Sequence, residues 1–152
     1  MTDTVSREKR SEIMRAVRST QNRSTELQLV KILRKNRISG WRRGCHLFGK
    51  PDFVFRKEKV VIFVDGCFWH GCKTCRRNMK PSTNSDYWLA KIARNKARGR
   101  KVNAVLRRAG WRIIRIWEHE VSKVPDKIIR LIQKTLVRGK NEKETGHLQP
   151  RD

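Results

Sequence analysis

The run "KVVIFVDG", Lys59 to Gly66, constrains this chain more than any other stretch. Five consecutive apolar residues, Val60 to Val64, stand between a lysine and an Asp-Gly pair. A short unbroken apolar run of this kind predicts a strand covered on both faces rather than a half-exposed one. The residues that follow are not what a buried strand requires. Cys67, Phe68, Trp69, His70, Cys72 and Cys75 crowd the turn that leaves it.

The flanking segments supply the cover. Ser6 predicts the start of a basic helix over "REKRSEIMRAVRS", about residues 6–19, and "TQNRS" a polar break after it. A second helix, "TELQLVKILRKN", begins at a Ser24/Thr25 cap, with Glu26 in its first turn where a carboxylate suits the helix dipole. Leu29, Ile32 and Leu33 form its inward stripe, widened by Leu27 and Val30. Gly40-Trp41 turns the chain toward an edge strand, and "GKPDFVF" starts the next, with Pro51 confined to its beginning or to an edge. Ser85 caps a long helix from Asp86 to Ala109, stopped by Gly110 and interrupted by Gly99. "WRIIRIWEHE" predicts another strand, ending near His119, and "PDKIIRLIQKTLV" a closing helix with Pro125 in its first turn. From Arg138 onward "RGKNEKETGHLQPRD" has little to bury and predicts a polar, flexible tail. The expected architecture is α/β with a mixed sheet, one domain over residues 1–137 followed by a tail over 138–152.

Charge narrows the partner. Lys and Arg number 38 against 14 Asp and Glu, a formal net charge of +24 in 152 residues. A compact domain so charged repels itself unless a polyanion is its usual partner. Nucleic acid fits best, because neutralising phosphates releases counterions; an anionic membrane surface comes second. No stretch approaches the roughly 20 apolar residues a membrane span needs. The opening "MTDTVSREKR" carries no apolar core of a secretory signal, so the expectation is a cytosolic chain, where disulfides are rare. Its four cysteines are then free thiols or metal ligands.

Three constellations carry chemistry. Cys67-x4-Cys72-x2-Cys75 places three thiols within nine residues, and the Cys-x2-Cys pair has the spacing at which a turn aims two sulfurs at one ion. Zinc takes four ligands, and His70 and His119 compete for the fourth place; Cys45 stands apart. Pro51-Asp52 at the mouth of one strand, with the next close behind, is the layout of a PD-(D/E)xK metal-dependent nuclease, in which the first Asp binds Mg²⁺. The second half of that motif is absent: Asp65 is the only carboxylate near, and His70 the only candidate for the lysine's role. Finally, Phe68, Trp69 and Trp88 accompany Lys91, Arg94, Lys96, Arg98, Arg100 and Lys101, a mixture of base-stacking surface and phosphate contacts.

Taken together, "RSEIMRAVRS", "PDFVF", "VIFVDGCFWHGC", "YWLAKIARN" and "GWRIIRIWEHE" resemble the very-short-patch repair (Vsr) DNA mismatch endonucleases, in order over roughly residues 7 to 120. The resemblance implies a restriction-endonuclease-like core with a structural zinc. It implies Mg²⁺-dependent nicking of double-stranded DNA just 5′ of the thymine of a T·G mismatch, left by deamination of 5-methylcytosine. Carried over, Asp52 binds Mg²⁺ together with the main-chain carbonyl of Val64, which stands in for the missing acid. His70 activates the attacking water, and Glu26 holds water on the metal. With His70 so assigned, Cys67, Cys72, Cys75 and His119 hold the zinc. Phe68, Trp69 and Trp88 wedge the duplex from the major groove and Met14 enters from the minor groove, while Lys91 and Asn95 contact the mismatch region. A monomer in the bacterial cytoplasm, associated with the nucleoid, is implied, linked functionally to a DNA cytosine-5 methyltransferase and to mismatch-repair proteins.

The chain departs from the best-studied pattern in places. That pattern has histidine where this chain has Cys72 and cysteine where it has His119. Asp65 replaces a histidine that supports the active site, and Gly99 an aspartate near it. A carboxylate at Asp65 has two roles open to it, binding a second Mg²⁺ or orienting His70. Two rival functions follow from the same residues: a non-catalytic zinc-containing DNA-binding protein, and a restriction-type endonuclease with a different site.

Overall fold

The computed structural model describes residues 7–67, 70–75 and 84–145, the side chains of residues 7, 10, 13–24 and 139–145 excepted. The Met14 side chain, and Phe68 and Trp69 altogether, lie outside the described residues. The elements run α1 (Arg7–Lys35), β1 (Trp41–Arg42), β2 (Phe53–Phe55), β3 (Val60–Asp65), α2 (Ser85–Arg108), β4 (Arg112–Trp117), α3 (Glu118–Lys123) and α4 (Pro125–Thr145).

The four strands form one mixed sheet in the order β1-β2-β3-β4. β1 pairs antiparallel with β2, and β2 with β3. β3 and β4 are parallel, in register from Val60↔Arg112 to Asp65↔Trp117, with α2 on the connection between them. All six residues of β3 are buried, as its apolar run predicts. Side chains alternate across the sheet. Phe53, Phe55, Val60, Ile62, Val64, Ile114 and Ile116 face one core, shared with Leu29 and Leu33 of α1 and Ile128, Ile129 and Ile132 of α4. Val54, Val61 and Phe63 face the other, closed by Val102 and Leu106 of α2. By the same alternation Asp52 (opposite Phe63) and Asp65 point to the α2 side, at the carboxyl end of the parallel pair. The site is assembled at that edge.

Several local expectations are corrected. The two N-terminal helices are one, running unbroken through "TQNRS" and past Ser24/Thr25. That segment holds no Gly or Pro, and its polar residues cost a helix only a few tenths of a kcal/mol each; packing of Leu29, Val30 and Leu33 on the sheet outweighs this. Thr25 is buried mid-helix instead of capping it, and Leu27 is exposed rather than part of the stripe. Helix α2 takes its N-cap at Asn84, in left-handed conformation, not at Ser85, and passes through Gly99 without a break. β4 ends at Trp117, so His119 sits in the first turn of α3 rather than on a strand. Glu120 is responsible: its carboxylate accepts the Trp117 backbone N–H at 3.0 Å and starts a helix. Helix α4 continues beyond Arg138 to Thr145, on Lys and Glu residues that are good helix formers without needing burial. No helix among the described residues is long and apolar enough to cross a membrane.

Candidate active site and thiol cluster

Asp52 sits at the mouth of β2. Its backbone N–H donates to the Ile62 carbonyl at 3.0 Å, which ties the residue before β2 to β3. Its side chain turns to β3, where Oδ2 accepts the Val64 backbone N–H at 2.7 Å. Burial pushes the Asp52 carboxyl up from 3.8 to about 7; the Val64 N–H pulls the other way, and the neighbouring carboxylates of Glu26 and Asp65 add to the rise. Glu26, one turn before Leu29 and Val30 on α1, thus reaches the same point from the opposite layer. Its outer oxygen is taken by the Arg43 guanidinium.

Asp65 ends β3. It is buried, and both of its oxygens accept from Arg115 Nη1, at 2.7 and 2.9 Å. Its Oδ1 also lies 3.6 Å from His70 Nε2. The His70 imidazole is carried by the turn after β3, closed by N–H donation from His70 to the Gly66 carbonyl at 3.2 Å and from Cys72 to the Cys67 carbonyl at 3.0 Å. Gly71, at φ 62°, lets this turn lie against α2: a Cβ there would stand 2.9 Å from Lys96 Nζ. Desolvation lowers the His70 pKa from its ordinary value; Asp65 opposes that shift and Arg115 adds to it. The ring is therefore a neutral base near pH 7.

Asp52, Val64, Asp65, His70 and Arg115 line one cleft of about 270 Å³, together with Lys91, Asn95 and Arg98 of α2. Positions 91, 95, 98 and 102 recur at helical spacing, so one face of α2 brings cations, an amide and Val102 to the carboxylates. At its N-terminal end α2 presents Tyr87 and Trp88, edge to face at 5.3 Å, with Lys91 Nζ 5.3 Å from the Trp88 ring centroid. Acids to hold a cation, a neutral base, and cations to hold phosphates share one opening. Such a set is suited to phosphodiester hydrolysis.

Behind the His70 turn lies the thiol cluster. Ligand atoms of Cys67, Cys72 and His119 all fall within 4.8 Å of one another. Cys67 Sγ is 3.1 Å and Cys72 Sγ 3.8 Å from His119 Nδ1. Cys75 is outside this tight group but close enough to hydrogen-bond Cys67. Burial, helped by the other two thiols, pushes the Cys67 thiol up to about 12, against the His119 backbone N–H. Two buried thiols and a half-buried imidazole converging this closely suit a soft divalent ion such as zinc. Glu118 ties the two segments together, accepting the Cys67 N–H at 3.4 Å.

Sequence reading reached Asp52, Glu26, Val64, His70, Asp65, Lys91 and Asn95, and the fold gathers them at one edge of the sheet. It missed Arg115 and Arg43. Arg115 carried no clear signal: β4 already holds Arg112, and only the pairing with Phe63 brings Arg115 onto Asp65. Arg43 lies on an irregular loop and carried none.

The family described as DNA mismatch endonuclease Vsr matches residues 2–77. The type II nicking enzyme V.NaeI of Lentzea aerocolonigenes is 54% identical over 71 residues, 47% of this chain and 42% of that protein. V.HpaIIP, a type II nicking enzyme of Haemophilus parainfluenzae, is 36% identical over 134 residues, 88% of this chain and 95% of the relative. The DNA mismatch endonuclease Vsr of Escherichia coli (strain K12) is 35% identical over 118 residues, 78% of this chain and 74% of its own length. The chain belongs to the Vsr family of DNA mismatch endonucleases and is a DNA endonuclease.

Proposed function

We propose that the protein nicks one strand of duplex DNA 5′ of a thymine mispaired with guanine, in a Mg²⁺-dependent hydrolysis. The observation that carries this reading is the shared cleft of Asp52 and His70, a desolvated carboxyl and a neutral imidazole, walled by Lys91, Asn95 and Arg98. The donor set fits magnesium: Asp52, Glu26 and the Val64 carbonyl offer hard oxygens, and two half-buried carboxylates in mutual contact suit a cation between them. Magnesium, when bound there, neutralises charge building on the phosphate and acidifies water. His70 takes the proton of the attacking water. Lys91 and Arg98 hold the phosphate, and Asp65 keeps out of the reacting set because Arg115 occupies both its oxygens.

Cys67, Cys72, Cys75 and His119 hold a structural zinc that fastens the His70 turn to α3. Three of these donors within 4.8 Å support that reading. Trp88, with Phe68 and Trp69, supplies the wedge; unstacking is easiest at a mispair, so intercalation itself favours mismatched sites. A monomer that follows a DNA cytosine-5 methyltransferase, clearing T·G pairs left by its deaminated product, completes the proposal.

The test is cleavage of end-labelled duplexes differing only at one base pair. Nicking of the T·G duplex at the phosphate 5′ of the thymine, with Mg²⁺ and not without it, is expected. Equal nicking of the matched duplex would make it a restriction-type enzyme, and tight binding without cleavage under any divalent ion a DNA-binding relative.

A further inference from the structure

The two roles open to Asp65 on sequence grounds are metal ligand and orienting group. The geometry bears on both. Its two oxygens are taken by a single guanidinium nitrogen of Arg115, at 2.7 and 2.9 Å. A cation would have to displace that contact. Oδ1 keeps one further neighbour, His70 Nε2 at 3.6 Å.

Arg115 is itself held at Nε, at Nη1 and along one face of its guanidinium. Its Nε donates to Asn103 Oδ1 at 3.0 Å, its Cζ lies 4.5 Å from the Phe63 ring centroid, and its strand position is set by pairing with Phe63. Above it lies Gly99. A Cβ there would stand 3.6 Å from Arg115 Nη2, an ordinary contact, so the helix backbone passes close over the guanidinium. Three elements, α2, β3 and β4, thus converge to hold one guanidinium on one carboxylate beside one imidazole. A strand arginine serving only solubility would need none of this. A phosphate-binding arginine would keep its donors toward the opening, whereas Arg115 directs Nε and Nη1 to protein acceptors.

We propose that Arg115 is a positioning residue for His70. It locks Asp65 against the imidazole, fixes the ring's orientation in the cleft and withholds Asp65 from the metal. The proposal rests on the reading of His70 as the base.

The variants are Arg115→Met, Arg115→Lys, Asp65→Asn and the Asp65→Asn/Arg115→Met pair, with His70→Gln as reference. Two readouts are taken. One is single-turnover nicking of a T·G duplex in Mg²⁺. The other is the ring ¹⁵N spectrum of His70, assigned against His70→Gln, in protein without added magnesium. Wild type is expected to show one tautomer, protonated on the Nε2 that faces the carboxylate. In Arg115→Met that pattern is lost and kcat falls about 100-fold, with KM for DNA within about threefold. Arg115→Lys retains part of the rate. The pair, which removes the orphaned charge along with its partner, recovers at least about tenfold over Arg115→Met and folds even where the single variant does not. An unchanged His70 spectrum in Arg115→Met, with KM alone raised, overturns the proposal and makes Arg115 a DNA contact. A pair no better than Arg115→Met overturns it too. Should His70→Gln nick at the wild-type rate while the spectrum still responds to Arg115, the locking stands and the base assignment falls.

Discussion

Asp52→Asn should make the metal-free protein more stable while removing its activity. The Asp52 carboxyl is pushed up from 3.8 to about 7, chiefly by burial. A folded-state pKa above the unfolded one means that ionisation opposes folding. The penalty is absent below pH 4, grows between the two pKa values, and is complete above about pH 7. About three units, at roughly 1.4 kcal/mol each, set the upper bound near 4 kcal/mol; contact of the site with solvent brings the expected gain to about 2 to 3 kcal/mol at pH 8. Asparagine keeps an oxygen for the Val64 N–H, so the hydrogen bond at 2.7 Å survives the change. One opposing effect is the loss of an anion from a chain of net charge +24, which increases self-repulsion. At 0.15 M salt the Debye length is about 8 Å, and that penalty is small beside local desolvation. Thermal unfolding by circular dichroism, without added divalent ions, is the assay. At about 2 to 4 °C per kcal/mol for a chain of this size, the variant should melt roughly 5 to 10 °C above wild type at pH 8. The gap should shrink to about a third at pH 5, and narrow at pH 8 when magnesium is added, because only wild type binds it well. A variant melting at or below wild type at pH 8, or a gap indifferent to pH, would refute the reasoning.

Gly49→Ala should cost at least about 2 kcal/mol in urea unfolding, since its φ is 79° and the new Cβ would lie 2.3 Å from Val102 Cγ1 in the core; a stability equal to wild type contradicts that packing. Cys72→Ala should reduce bound zinc from about one per chain and lower the melting temperature, as checked by metal analysis and calorimetry; a metal-free wild type of equal stability removes the zinc assignment. Trp88→Ala should weaken binding to T·G duplex by more than binding to matched duplex, and equal losses on both would contradict the wedge.

The sequence exposed the frame of this molecule where one signal dominated. The Val60–Val64 run is a fully buried strand, and Pro125 opens a helix, as apolar burial and the proline ring require. It misled where weak local preferences met strong tertiary ones. "TQNRS" looks like a break, yet the helix it belongs to is anchored farther on by Leu29 and Leu33. His119 looks like a strand residue until Glu120 caps a helix beneath it. The site divides the same way. The cysteines are visible because their spacing is that of metal ligands, and Asp52 and His70 become visible through the family resemblance that implies their roles. Arg115 is not, because its meaning lies in a register: only the parallel pairing of β3 with β4 brings it beside Phe63 and onto Asp65.

The central claim is that Asp52 and His70 act together, from one cleft, on one scissile phosphate. Single-turnover nicking of prebound T·G duplex by Asp52→Asn and His70→Gln tests it directly. Both variants should remain folded, bind the duplex within about threefold of wild type, and cleave at least about 1,000-fold more slowly. Wild-type cleavage by either one would contradict the account.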